Sequence, residues 1–458
     1  MIASRIQDGP MQNARVTGVL ADFLVSSRWE DVPHDVRHAA RRSILNFFGT
    51  ALGGSRDGAV AGALAVLDRF SGTRDASVIG RRERLDMLSA AFINAASGNV
   101  FDFDDTHHPT IIHPTAPVAP ALFALAESQP MSGAALLHAF VLGVEVECRL
   151  GNSVSPWHYR RGWHITSTCG VFGAAAAVAK LLGFDAEHAI WALGNASAQS
   201  SGLVETLGTM AKSIGVGAAA RGGLAAALFA QAGVTGPAEP IAGPRGFTSV
   251  MGDGANFDAI TQGLGETWEL RANTHKPYPC GVVLFPVIDA CLELRARHPD
   301  VRPDAIADIK VEGHALLRER ADRPAVSSGR EAQVSAQHSV AAALIHGVAG
   351  VAQFEDACVN SAEVLALRRK VHVGDLAGTP VEAARVTITL ADGRTLTSFV
   401  AQGRGTPQRP MSDADIEAKM CALARYGCPG LDPAPLIDAV WSLDRATDAG
   451  AILRLAVA

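Results

Sequence analysis

At 458 residues the chain is long enough for two or more domains, and a hydrophobic content of 48% supports a large core. A formal charge of −6 and a pI of about 6.2 exclude the basic face that a nucleic-acid binder carries. Seven cysteines, odd in number and without a C-x-x-C pair, argue against a disulfide framework or a zinc site and fit a reducing cytoplasm.

The first segment carries Arg5, Asp8 and Arg15 without an uninterrupted apolar stretch, so no signal peptide is expected. From Ala14 to about Thr267 apolar residues recur at three- and four-residue spacing, as in Val19, Leu20, Phe23 and Leu24, and predict helices. Many of these are rich in Ala and Gly, for example residues 217–232, so their backbones can approach closely. The apolar run 171–179 stops at Lys180 and is too short for a membrane span. Lys276-Pro277-Tyr278-Pro279 breaks any helix. Beyond it the spacing predicts a helix over 283–298, a strand over 309–312 and a helix over 331–346 closed by Gly347. Residues 385–390 and 394–399 flank an Ala391-Asp392-Gly393 turn and predict a hairpin. Pro407 to Pro410 reads as a linker, and residues 412–458 return to helical spacing. The expected architecture is mainly α: a helical domain, residues 1–268 with 402–458, and a smaller α+β lid, residues 269–401.

The chemistry concentrates in residues 102–117, where Asp102, Asp104, Asp105, Thr106, His107, His108 and His113 crowd ahead of an apolar helix-like segment. The pattern recurs more weakly: Gly162-Trp163-His164 precedes one Ala-rich helix, and Lys212-Ser213 precedes another. The first N–H groups of a helix lack intrahelical partners and, with the helix dipole, favour negative charge. Adding His113, His164 and Lys212 at such ends makes a basin for a small polyanion. Asp and His can also bind divalent cations, but no spacing here matches a ligand template. Lys276 lies in a rigid Pro/Tyr segment, where a wandering surface ammonium is less expected. Tyr278 either packs or donates a hydrogen bond. Gly-rich stretches such as Gly215-Val216-Gly217 lack the context of a dinucleotide or phosphate loop, and no G-x-S-x-G elbow is present.

Asp102-Phe103-Asp104-Asp105-Thr106, Gly162-Trp163-His164 with Cys169-Gly170-Val171-Phe172-Gly173, Gly208-Thr209-Met210-Ala211-Lys212 and Lys276-Pro277-Tyr278-Pro279-Cys280 together resemble the MmgE/PrpD family. That resemblance implies a helical domain with an α+β lid, a homodimer, and cofactor-independent chemistry on a small polycarboxylate without a metal. It implies Asp102 and Thr106 in the active site, proton transfer by His113 and His164, and carboxylate binding by Lys212 and Lys276, with Tyr278 near the substrate. Asp104 and Asp105 would fix the loop, while His107, His108 and His158 would lie at the surface or behind the site.

Proton abstraction beside a carboxylate followed by loss of water, as in 2-methylcitrate dehydratase, is the leading expectation. Epimerisation of an imino- or aminodicarboxylate, as in iminodisuccinate epimerase, and decarboxylation, as in cis-aconitate decarboxylase, are alternatives at the same site. A non-catalytic carboxylate-binding protein would keep the lysines but would not need both histidines.

The chain departs from the family pattern at Ile165, where many relatives have proline, and at Gly215 and Phe285, where relatives often have histidine. His275, Arg330, Gln337 or His338 are the lid residues that would replace those contacts.

Overall fold

The computed structural model describes residues 15–254 and 256–457; the segment carrying Arg5 and Asp8 lies outside the described residues. The chain forms two compact units. The first comprises residues 1–100, 105–273 and 427–458, and the second residues 101–104 and 274–426. The molecule is mainly helical, with its one four-stranded sheet in the second unit.

The longer helices of the first unit are α1 (Val16–Ser26), α2 (His34–Gly54), α3 (Gly58–Leu67), α4 (Met87–Asn99), α5 (Thr115–Ser128), α6 (Gly133–Val154), α7 (Ile165–Leu181), α8 (Ala186–Ser197) and α9 (Ala211–Gln231). Helices α5, α6, α7 and α9 form its centre. Their spacing is set by missing side chains. A Cβ added at Gly143 of α6 would lie 2.7 Å from the Gly173 carbonyl oxygen of α7. One at Gly223 of α9 would lie 2.6 Å from the Val171 carbonyl oxygen, and one at Gly217 would lie 2.7 Å from that of Phe92 on α4. Helix α9 is long and apolar enough to cross a membrane by length and composition alone, yet 67% of its apolar window is buried inside the protein. The run 171–179 is likewise interior.

Packing at this distance also encloses charge on α6. The five N–H donors of Arg149 are all engaged: Nε with Glu145 Oε1 at 2.6 Å, and the two terminal nitrogens with the carbonyls of Ile260, Gln262, Gly263 and Thr267. Glu145 Oε2 accepts the backbone N–H of Glu269 at 2.8 Å. This network ties residues 260–269 to the helix.

Two residues from Glu145, Glu147 is fully buried over the Gly170–Gly173 face of α7, and among the described residues neither of its oxygens has a hydrogen-bond partner. Burial, reinforced by the nearby charge of Asp105, pushes its pKa well above the usual value of 4.5 and so favours the neutral acid.

In the second unit, α10 (Phe285–Arg297) and α11 (Ala336–His346) contribute to one apolar core with strands β1 (Ile306–Gly313), β2 (Val371–Asp375), β3 (Ala384–Leu390) and β4 (Thr395–Val400). The sheet order is β2-β1-β3-β4; β2 runs parallel to β1 and the other pairs are antiparallel. Burial alternates along β3, so Ala384, Val386, Ile388 and Leu390 face the core. The predicted hairpin is β3–β4. Its turn is completed by Gly393 at φ +87°, where a side chain would be strained. The helix predicted over 331–346 is interrupted: Gly329–Ala332 forms a short turn, and α11 starts only after Ser335, whose hydroxyl accepts the His338 N–H. Gly347 then ends it at φ +70°, as its position suggests. A further helix, α12 (Asp413–Gly427), ends where the chain returns to the first unit. All seven cysteines are free thiols.

Two outcomes test this description. Arg149→Met should cost about 3–5 kcal/mol in urea unfolding, because it strands Glu145 without its counter-ion in the core; a loss below about 1 kcal/mol would mean that the network holds little. For Glu147 the sign follows from its raised pKa. The neutral acid stabilises the fold fully below about pH 4.5, and that contribution is lost as pH rises toward the folded-state value. Glu147→Gln, which does not titrate, should therefore gain in melting temperature relative to the wild type between pH 5 and pH 9. Parallel pH profiles would show that Glu147 is not buried as an acid.

Candidate functional site

In the first unit the starts of α5, α7 and α9 come together. The backbone N–H of His113, two residues before α5, donates to Thr166 Oγ1 in the first turn of α7 at 3.1 Å. On the other side, a Cβ added at Gly215, in the second turn of α9, would lie 2.9 Å from Ser167 Oγ. His113, His164 and Lys212 thus lie at or just before three neighbouring helix starts.

Each histidine is fixed from behind. His113 is 7% exposed, and its Nδ1–H donates to the Asp105 carbonyl at 3.0 Å, with Thr106 Oγ1 at 3.4 Å from the same nitrogen. The Asp105 carboxylate is fully buried, and its Oδ2 accepts from Thr115 Oγ1 at the start of α5 and from Asn273 Nδ2, both at 2.5 Å. Asp105 therefore fixes the loop, as expected, and does so by joining it to the first turn of α5. Ile111, at φ +60°, lies in the turn between Thr106 and His113; a β-branched residue there stores strain of about 1–3 kcal/mol.

His164 is the N-cap residue of α7. Its backbone N–H donates to the Gly202 carbonyl at 3.0 Å, and its own carbonyl accepts from Ser167 and Thr168. Its ring Nδ1 lies 2.7 Å from Ser167 Oγ, and the side chain is almost fully buried. Ser167 drew no attention in the sequence, where a serine in a first helical turn reads as ordinary helix-start chemistry.

Lys212 lies in the first turn of the 21-residue helix α9 and is partly buried. A cation at the positive end of a helix is disfavoured by about 0.3–1 kcal/mol. An arriving anion would be attracted by both the ammonium and the helix end.

Of the three histidines expected at the surface or behind the site, two are buried. His107 is fully buried, not at the surface, held between Thr110 Oγ1 at 2.7 Å and Glu269 Oε2 at 2.9 Å. His158 is also fully buried: its Nδ1–H donates to the Met251 carbonyl at 2.8 Å, and its Nε2 accepts from Thr168 Oγ1 at 2.7 Å. Burial pushes the His158 pKa down, so this ring is a neutral support under the first turn of α7. The third, His108, is exposed.

The remaining candidates belong to the second unit. Lys276 is 4% exposed and donates from Nζ to Asp102 Oδ2 at 2.6 Å and to the Asp102 carbonyl at 2.9 Å. Asp102 takes up this position at φ +52°, a left-handed conformation that Asp tolerates better than most residues. Lys419, which sequence reasoning missed, sits 3.7 Å above the Phe103 ring and donates to the carbonyls of Phe103 and Lys276. It holds the two segments of the Asp102–Lys276 pair together.

Tyr278 both packs and donates. It stacks edge-on with Phe285 at 6.0 Å, and its hydroxyl gives a 2.6 Å bond to Asp289, so its polar end is committed within the unit. Phe285 is a core residue of α10. Gln337 and His338 are also engaged, Gln337 with Asp322 and the Arg323 N–H, and His338 with the Gln353 carbonyl. His275 is buried and Arg330 is partly exposed.

The chain that carries these residues is similar to known proteins. Residues 18–260 match the model of the MmgE/PrpD N-terminal domain, and residues 278–443 match that of the MmgE/PrpD C-terminal domain. Among curated proteins the chain is 28% identical over 474 residues to the cis-aconitate decarboxylase-like protein oryM of Aspergillus oryzae, covering 96% of this chain and 97% of that one. It is 29% identical over 403 residues to the cis-aconitate decarboxylase of Homo sapiens, covering 84% and 82%. It is 28% identical over 472 residues to that of Aspergillus terreus, covering 96% and 95%. With both domain models matched in order across most of its length, the chain belongs to the MmgE/PrpD family.

Proposed function

We propose that the protein is a lyase for a small di- or tricarboxylate, and that decarboxylation of a cis-aconitate-like tricarboxylate is the reaction to test first. The observation that carries this reading is the convergence of three helix N-termini bearing His113, His164 and Lys212. The names of the relatives, all of them cis-aconitate decarboxylases or like them, support the choice of reaction.

The chemistry suits such a site. In an unsaturated tricarboxylate of this type, the bond between a methylene carbon and its carboxylate breaks and its electron pair forms a new double bond. The old double-bond pair moves to the carbon beside a second carboxylate, CO₂ leaves, and a proton must be supplied to that carbon. The extra charge in transit rests on the second carboxylate, where Lys212 and the exposed helix N–H groups would stabilise it. An imidazole would supply the proton, contributing about 10²–10⁴ in rate. Thr106 and Asp105 would keep His113 in place.

Loss of water from a hydroxytricarboxylate is the second reading, favoured by the presence of two separately anchored imidazoles. One would remove the C–H proton and the other would protonate the leaving hydroxyl.

The protein should release CO₂ from cis-aconitate, with one deuteron entering the product carbon in D₂O by NMR, without added cofactor and in the presence of EDTA. Water loss from 2-methylcitrate without CO₂ release would move the assignment to the dehydratase. Inactivity on every polycarboxylate tried, with no C–H exchange, would leave only carboxylate binding. His113→Gln and His164→Gln should each lower kcat by about 10²–10⁴ while the protein stays folded. Lys212→Ala should cost about 1.5–3 kcal/mol in kcat/KM, roughly ten- to a hundredfold; an unchanged kcat/KM would remove Lys212 from the mechanism. A homodimer is part of the same proposal, and sedimentation at micromolar concentration checks it.

A further inference from the structure

His113 and His164 differ in what holds their Nδ1 atoms. A carbonyl can only accept, so the Asp105 carbonyl 3.0 Å from His113 Nδ1 requires a proton on that nitrogen. In the neutral ring Nε2 of His113 is then the unprotonated atom.

His164 faces a hydroxyl instead, and a hydroxyl can give or take. What decides is the hydroxyl's own situation. Ser167 is 1% exposed, and among the described residues His164 Nδ1 is the one hydrogen-bond partner of its side chain. If Nδ1 carried the proton, the buried O–H of Ser167 would be left without an acceptor, which is costly. The favoured arrangement has Ser167 donating to Nδ1, which leaves the proton of the neutral ring on Nε2.

The hydroxyl has little room to turn elsewhere. A Cβ added at Gly202 would lie 2.7 Å from Ser167 Cβ and 3.1 Å from its Oγ, and one at Gly215 would lie 2.9 Å from that Oγ. Two glycines on separate segments thus clear the space that Ser167 fills. The Gly215 departure noted in the sequence has a structural counterpart: any side chain there would press on the group that orients His164.

We propose that Ser167 is a positioning residue which makes His164 the proton-donating member of the pair, by fixing its proton on Nε2, while His113 presents an unprotonated Nε2. The assignment of a donor rests on the lyase reading above; the placement of the protons does not.

The test is ¹⁵N NMR of histidine-labelled protein at neutral pH, with His164→Gln used to assign the His164 signals. The wild type should show His164 protonated at Nε2 and His113 protonated at Nδ1. Ser167→Ala should shift the His164 population toward the Nδ1–H form and lower turnover of cis-aconitate about ten- to a hundredfold, part of the about 10²–10⁴ that a positioned acid supplies. Gly215→Ala gives a second route: alanine favours the helix, so α9 should fold, while its methyl displaces the hydroxyl and should produce the same shift.

A wild-type His164 protonated at Nδ1 would overturn the proposal, as would variants that leave both the tautomer and the rate unchanged. The expected proton pattern in a protein inactive on every polycarboxylate would uphold the placement of the protons and remove the lyase reading alone.

Discussion

The close approach of helix backbones at glycine is the constraint on which the helical unit depends. Where Gly143, Gly217 and Gly223 meet neighbouring helices, a single methyl group would collide with a carbonyl oxygen. Cores packed at this density accommodate even one extra methylene at a cost of about 1–3 kcal/mol. The same tightness allows helix ends to converge. The start of α5 reaches the first turn of α7 through one hydrogen bond, and the start of α9 reaches it through a glycine. The helix starts are placed by this packing, and the loop before α5 then holds His113 through the Asp105 carbonyl.

Close packing also explains how carboxyl groups survive in the interior. Glu145 is matched by Arg149, whose remaining donors all find carbonyls, and Glu147 avoids the cost of burial by staying neutral. The two residues sit two positions apart on one helix, and burial raises the pKa of both, that of Glu145 to about 7 despite Arg149. One spends a charge pair to fasten residues 260–269, and the other supplies a neutral polar group beside Asp105.

The parts of the structure that were legible in the sequence are those with local causes. The mainly helical class, the smaller α+β part and the family followed from periodicity and from motifs. The β3–β4 hairpin followed from Asp392-Gly393, and the end of α11 from Gly347. What escaped has distant partners. His107 meets Glu269 at a separation of 162 residues, and His158 meets Met251 at 93, so neither sequence neighbourhood reveals that the ring is fully buried. Lys419 binds carbonyl groups, which every residue offers, and leaves no signature. Ser167 looked like part of a helix start, because only the folded arrangement puts its hydroxyl on a ring nitrogen.

The pairing of Lys276 with Asp102 bears on how the second unit would meet an anion. An ammonium has three donors, and here two are taken, one by the Asp102 carboxylate and one by its carbonyl. A carboxylate arriving at this lysine would find only the third donor, beside a carboxylate that already balances the charge, unless it displaced Asp102 from a backbone position held in the left-handed region. Either way its affinity would fall short of the full attraction of a bare charge. Added salt should therefore influence it less than it influences an ordinary encounter between opposite ions. The lysine would thereby discriminate by shape and by the number of hydrogen bonds a carboxylate offers, with charge alone counting for little.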